Sequence, residues 1–447
     1  MLIKTLILPQ FNRLFLTILT PKSILDKINR LFFQCLWNGK PDKIRRSTLY
    51  KHNNLGGLQM LNVYCFEDAL KLSWIRKLFD QQNSLSPWYK LLLSTTGNLE
   101  NLTSIGQNWC LLLCQKIHNP FWKHVFTQWV SFCAKLKPKT TVDVLQNSLW
   151  YNGQISKETL FLKNWHSKGI KIVADLVDGQ GQILTAEEIS RQFGIQPNLF
   201  NYYRVRALLK KFLEKNIREN NFSLVRPHIL SNVSILLKQK KGSRPFYIEG
   251  IKQVADSPPL FKGLWTRILK IEINDETWKQ IFNACFYVVS DNYMKWFQYK
   301  ILNNILGTND YLFKLKLSNT NMCRMCHTDT ETITHLFAEC THSIEFWENI
   351  NYWLRNGLCP ALHITKQMKI LGYLERDSSF LPLNFIFLYV RRYIFSCAKN
   401  GHALNLYFFL NHLETKFEEE EMLAKIKCQQ LIFDKNWKKL RVFLFRY

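Results

Sequence analysis

The sequence predicts a mainly α-helical fold: a multi-helix array carrying one small cysteine–histidine module and at most a minor β-hairpin. Three observations lead there. Apolar residues recur at 3- and 4-residue steps through much of the chain, the period of a helix buried on one side. Breakers are sparse, with 17 glycines and 13 prolines in 447 residues. Three of the twelve cysteines fall with a histidine in the short segment Cys323–Cys340.

Taken in chain order, the N-terminal stretch MLIKTLILPQFNRLFLTILTP has a faint signal-peptide character. Gln10, Asn12 and Arg13 interrupt its apolar run and no small-residue cleavage site follows, so it reads as helix. Glycines mark breaks at Gly56-Gly57, Gly179–Gly181, Gly242 and Gly307. The one plausible strand pair is Ile170–Asp175 with Gln182–Thr185, around the turn signal Asp178-Gly179. Asn274 or Asp275 would cap a helix carrying Trp278, Ile281, Phe282 and Cys285. Met294, Phe297, Ile301 and Ile305 define the apolar face of the next helix, with Lys295 and Lys300 off it. Thr308 would cap another, ending near Leu317. The longest apolar run, Phe380–Val390, falls short of the roughly 18 residues of a spanning helix and contains Pro382 and Asn384. No internal repeat is visible.

A hydrophobic fraction of 47% excludes wholesale disorder. The net charge of +26 points to a polyanionic partner, most simply nucleic acid, with a basic membrane-surface protein as the competitor. The excess is concentrated. Arg204–Arg244 holds eleven basic and two acidic residues, among them Arg204, Arg206, Lys210, Lys211, Lys238, Lys240, Lys241 and Arg244. A second cluster, Lys40, Lys43, Arg45, Arg46 and Lys51, lies beside Trp37 and Tyr50. These cations, with Lys295 and Lys300, are the candidate phosphate contacts. Trp37, Tyr50, Tyr202 and Tyr203 are candidate stacking partners for unpaired bases, against the bland reading of core packing.

The sharpest motif is Cys323-x2-Cys326-x8-His335-x4-Cys340. Two thiolates two residues apart turn back onto one ion, and a His and a Cys five apart supply two further ligands. Four N/S ligands without a carboxylate favour tetrahedral zinc, and a fully protein-ligated ion is structural. His327 and His342 also stand near enough in sequence to replace His335, His342 being the more realistic rival. Leu336 and Phe337 would pack on the inner side of the module. Eight other cysteines (Cys35, Cys65, Cys110, Cys114, Cys133, Cys285, Cys397, Cys428) lie in apolar contexts and read as buried small hydrophobes in a reducing, intracellular setting. Catalytic signatures are missing from the sequence: a phosphate-binding GxxxxGK[ST] loop, GxGxxG, HExxH, GxSxG and a metal-holding Asp-Asp pair.

The stretches Lys295–Leu302, Thr308–Leu312, Cys323-x2-Cys326, Glu331–Cys340 and Phe346-Trp347 resemble the zinc-binding region of non-LTR (LINE-type) retrotransposon reverse transcriptases. Leu8-Pro9, Phe32, Trp37, Gly39-Lys40, Gly56–Leu58, Ala69 and Trp74 are similar to the segment entering that polymerase's thumb. Leu149–Asn152, Gly169-Ile170 and Asp175-Leu176 resemble the middle of its C-terminal half, and Leu371-Gly372 with Glu414–Trp437 its end. The family commonly carries His-Arg and Pro around Asn303-Asn304 and Gly307, where this chain departs.

The resemblance implies a thumb-like helical segment at 1–90 and a helical middle segment with a small hairpin at 91–200. A basic helical segment at 201–300, a zinc-binding module at 301–360 and a C-terminal helical segment at 361–447 would follow. It implies an intracellular chain of nucleus or cytoplasm, the C-terminal half only, without polymerase core or endonuclease. That chain would bind RNA, and target DNA as a second ligand, held by a structural zinc and with no catalytic residues of its own. The alternatives are a structural or protein-interaction scaffold derived from a retrotransposon, and a fragment of a longer active RNA-directed DNA polymerase.

Overall fold

Helices supply all the regular structure in the computed structural model, which describes residues 7–78, 86–97, 99, 106, 108–136, 140–157, 159–217, 242–254, 260–375, 377 and 379–445. Among the described residues there is no strand, only isolated bridges such as Val177 with Ile183. None of the described helices is long and apolar enough to cross a membrane. The chain divides into two compact units. The first comprises Met1–Lys40 and Leu61–Asp256; the second comprises Pro41–Met60 and Ser257–Tyr447.

The expected hairpin shrinks to a single antiparallel bridge, Val177 with Ile183, flanked by the Leu184 N–H donating to Leu176 O at 3.0 Å. Val173–Leu176 forms a 3-10 helix, which takes the backbone of the first presumed strand out of the extended region. Asp178 Oδ1 accepts the N–H groups of Gln180 at 2.8 Å and Gln182 at 2.7 Å. The Asp178 N–H also donates to the Gln182 carbonyl at 2.8 Å, so side chain and backbone together close the turn.

In the first unit, the Val63–Leu78 helix clamps the end of the Leu8–Thr17 helix. Lys71 Nζ donates to the carbonyls of Phe15 and Ile18, both at 2.5 Å, and Trp74 Nε1 donates to the carbonyl of Leu16 at 2.8 Å. Carbonyls at a helix end have no partner inside the helix, so these side chains satisfy what the N-terminal helix leaves open. Around this clamp Leu72, Ile75, Phe126, Trp129 and Phe246 form one core, and Trp150, Ile170, Leu176, Val205 and Leu209 form another.

The second unit has one continuous core running from Phe261 to Leu444. Its centre is the Phe380–Asn400 helix. Leu383, Phe385, Ile386, Phe387, Leu388 and Val390 are all buried, so this helix is covered on every side. That is why its sequence is apolar all round rather than striped. Gly56 has φ +79° and a Cβ there would lie 2.8 Å from the Phe261 ring, so the turn requires glycine. The turn is tied down by Tyr299, whose hydroxyl donates to the Gly56 carbonyl at 3.1 Å.

The expected helix starts are present. Asn274 caps Asp275–Tyr287, its side chain accepting the Thr277 N–H at 2.8 Å. Asn292–Leu302 buries Met294, Phe297 and Ile301. It ends before Ile305, because Asn304 adopts φ 54° and the N–H of Ile305 donates to the Lys300 carbonyl at 2.9 Å. A left-handed residue followed by such a bond is a Schellman ending, and Asn tolerates it better than most residues. Asn309–Lys314 ends the same way, with Leu317 N–H donating to Leu312 O at 2.9 Å.

Candidate metal centre

Three short elements deliver the four ligands. The first is the Cys323–Cys326 turn. His327 there has φ 57° and donates its N–H to the Cys323 carbonyl at 3.0 Å, so the chain reverses on itself. The second is a π-helical turn, His335–Glu339, which carries His335. It opens on the Thr332 hydroxyl accepting the His335 N–H at 3.0 Å. The third is Cys340, the N-cap of the Thr341–Arg355 helix. The core holds this arrangement from beneath: Leu336 and Phe337 are fully buried, as expected. Ser343 Oγ donates to Leu336 O at 2.7 Å and Trp347 Nε1 donates to Phe337 O at 2.8 Å.

The donor atoms of Cys323, Cys326, His335 and Cys340 all lie within 4.8 Å of one another. Cys323 Sγ is 3.9 Å from Cys340 Sγ, and Cys326 Sγ is 3.3 Å from His335 Nε2. Zn–S bonds of about 2.3 Å and Zn–N bonds of about 2.0 Å in a tetrahedron put S···S about 3.8 Å and S···N about 3.5 Å apart. The cluster therefore fits a structural zinc: four ligands, two of them wholly buried sulfurs, and no position left for water. His342 is not among the ligands. With His327 it lines a cavity of about 380 Å³ beside the module.

The four donors divide by protonation: Cys326 and Cys340 are biased toward the thiolate, Cys323 and His335 toward the protonated form. The Cys323 thiol donates to Cys340, which together with burial pushes Cys323 up to about 12. The same bond holds Cys340 below the ordinary thiol value, helped by the N–H groups of Ser343 and His342 in the first helical turn. Burial raises Cys326, but the Thr328 hydroxyl, 3.2 Å away, and the backbone of Thr328 and Asp329 outweigh it and bring it down. Burial lowers His335, and the facing sulfurs more than reverse that.

A buried ion pair, absent from the sequence reading, locks the turn. Glu331 is fully buried and accepts the Asn309 N–H at 3.0 Å, the Arg324 N–H at 2.9 Å and the Arg324 guanidinium. Arg324 also donates to the Gly307 carbonyl at 3.4 Å. Its position between the two cysteines was the available signal, but a sequence does not reveal which acid it meets.

Residues 261–347 match the family model described as zinc-binding in reverse transcriptase. The match contains all four ligands, Arg324 and Glu331, so this region is related to the zinc-binding part of reverse transcriptases. No curated protein matches the chain.

The candidate phosphate contacts are dispersed over the chain. Arg206, Lys210 and Lys211 are exposed on the Leu199–Asn216 helix, with Arg204 half-buried, while Tyr202, Val205 and Leu209 face inward. Lys238, Lys240 and Lys241 lie outside the described residues. Arg244 and Lys40 are exposed. In the second unit Lys43 and Arg45 are exposed, whereas Arg46 pairs with Asp42 at 2.6 Å and Lys51 is buried. Lys295 and Lys300 are half-buried. Of the proposed stacking aromatics, Trp37, Tyr50 and Tyr202 belong to the core, and Tyr203 is exposed. Core demand outcompeted ligand contact because large rings bury the most apolar area. Cys35 and Cys428 are exposed and Cys133 is half-buried, contrary to the uniform burial expected of the scattered cysteines.

Proposed function

We propose that this chain is the nucleic-acid-binding, C-terminal portion of a non-LTR retrotransposon reverse transcriptase, with RNA as its preferred partner. It acts by binding rather than by catalysis. The closed Cys323/Cys326/His335/Cys340 site carries this reading. Its metal has no free coordination position for a reacting oxygen, so it shapes a surface instead of performing chemistry. The match of residues 261–347 to a reverse-transcriptase zinc-binding model supports the family, and the +26 charge supports a polyphosphate partner.

A filter-binding titration with structured RNA and duplex DNA of equal length, over rising salt, tests the proposal. The logarithm of affinity should fall linearly with the logarithm of salt, and RNA should bind more tightly. A flat salt response would refute it. Primer extension by the purified chain would refute the non-catalytic part.

A further inference from the structure

The second unit has two cavities rich in cations, and neither has an acidic residue in its wall. One, about 410 Å³, is lined by Lys43, Arg45, Thr48, Arg267 and Asn303. The other, about 310 Å³, is lined by Tyr293, Lys300, Gly307, Arg324 and Lys399. They adjoin: Lys43 of the first lies 5.9 Å from the ring of Tyr311, the chain neighbour of Leu312 in the wall of the second. Burial lowers the Lys300 ammonium, and the charges of Lys43 and Arg392 lower it further. Gathering like charges in one place opposes folding, and an anion bound among them would relieve that repulsion. Aromatic faces sit among the cations. Tyr293 is 55% exposed with the Arg392 guanidinium 5.1 Å from its ring, and Lys43 lies 5.9 Å from the ring of Tyr311. Arg324 joins this surface to the metal. It is set between Cys323 and Cys326, forms part of the second cavity's wall and holds the Gly307 carbonyl of the same wall.

We infer that the groove from Lys43 and Arg267 through Lys300 to Lys399 is a track for unpaired nucleic acid, with phosphates on the cations and a base stacked on Tyr293. This deepens the nucleic-acid reading and rests on it. Cations spaced along a groove follow a flexible backbone, while an exposed ring bonds to any base face but only when the base is unpaired. The zinc then acts at one remove, by holding Arg324 and the Gly307 wall in place.

The test uses the full chain, its zinc content and melting temperature checked for each variant, and fluorescence anisotropy with labelled oligonucleotides of about ten nucleotides. Arg267→Gln with Lys399→Gln, both at exposed positions, should weaken single-strand binding by about tenfold or more and lower the salt slope by about 1.4. Tyr293→Ala should weaken single-strand binding between about fivefold and a hundredfold and leave duplex binding unchanged. Lys300→Met should lose affinity without losing melting temperature, because the charge it removes is a cost to the fold; a merely structural lysine would do the reverse. If the wild type binds and these variants bind equally well, or if Arg206→Gln with Lys210→Gln abolishes binding while the groove variants do not, the track is wrong and the broader proposal stands. If the wild type binds no nucleic acid, both fall.

Discussion

Replacing Glu331 by Ala should unhinge the metal turn without touching a metal ligand. The carboxylate is fully buried and serves three donors: the Asn309 N–H at 3.0 Å, the Arg324 N–H at 2.9 Å and the Arg324 guanidinium. Breaking a buried pair by removing one partner costs about 3–5 kcal/mol, because the other charge stays behind uncompensated. Each orphaned N–H adds about 1–3 kcal/mol where water cannot reach it. The Arg324 side chain retains 21% exposure and can recruit solvent, so the sum is discounted to about 3–5 kcal/mol. Urea unfolding of the zinc-loaded protein measures this, and the rate of zinc transfer to a chromogenic chelator should rise in parallel. A double substitution, Glu331→Met with Arg324→Met, should recover much of the loss, since a well-packed apolar pair replaces a buried ion pair at little cost. A loss below about 1 kcal/mol with an unchanged zinc off-rate would refute the reasoning.

Other outcomes follow from the same geometry. Metal analysis should find one zinc per chain; Cys323→Ser and Cys340→Ser should each abolish it, and His342→Ala should not, whereas retention in Cys340→Ser would mean a different ligand set. Asn304→Val should cost about 1–2 kcal/mol in thermal unfolding, because a β-branched residue is forced to φ 54°, and Asn304→Gly should not. Glu67, buried 3.5 Å from Lys71, is pushed up to about 7 by burial, partly opposed by the lysine. The folded state thus holds this proton more tightly than the unfolded chain. Its contribution to stability is present at low pH and is lost as pH rises from about 4 to about 7. Glu67→Gln should lessen the slope of the stability profile in that window, leaving the share of Asp68, which burial pushes up to about 6, and an unchanged profile would contradict the assignment.

Much of the metal centre was legible in one dimension. Cysteine and histidine spacing within the 18 residues Cys323–Cys340 is a local property, and ligand identity follows from chemistry that needs no partner far away. The same holds for the cap at Asn274, for the helix start at Thr308, whose side chain makes no capping hydrogen bond, and for the inward face of Met294, Phe297 and Ile301. The choice of His335 over His342 was not legible, because both lie within reach of Cys340 in sequence. The π-helical turn decides it by placing His335 Nε2 3.3 Å from Cys326 Sγ. The hairpin at 170–185 failed for a related reason. Only one antiparallel bridge forms, Val177 with Ile183, because Val173–Leu176 coils into a 3-10 helix and takes the first presumed strand away.

By itself, then, the sequence determined the helical class, the four metal ligands with one rival, and an excess of positive charge. The tertiary structure alone decided which of those charges come together. Lys43, Arg267, Lys300 and Lys399 come from separate segments of the second unit, so no run of residues announces them, whereas Arg206, Lys210 and Lys211 are exposed on a single helix. Charge acts through space and is felt across a few ångströms regardless of chain separation, while packing draws aromatic rings such as Trp37 and Tyr202 into the core. Both effects belong to the folded surface, and neither has a one-dimensional signature.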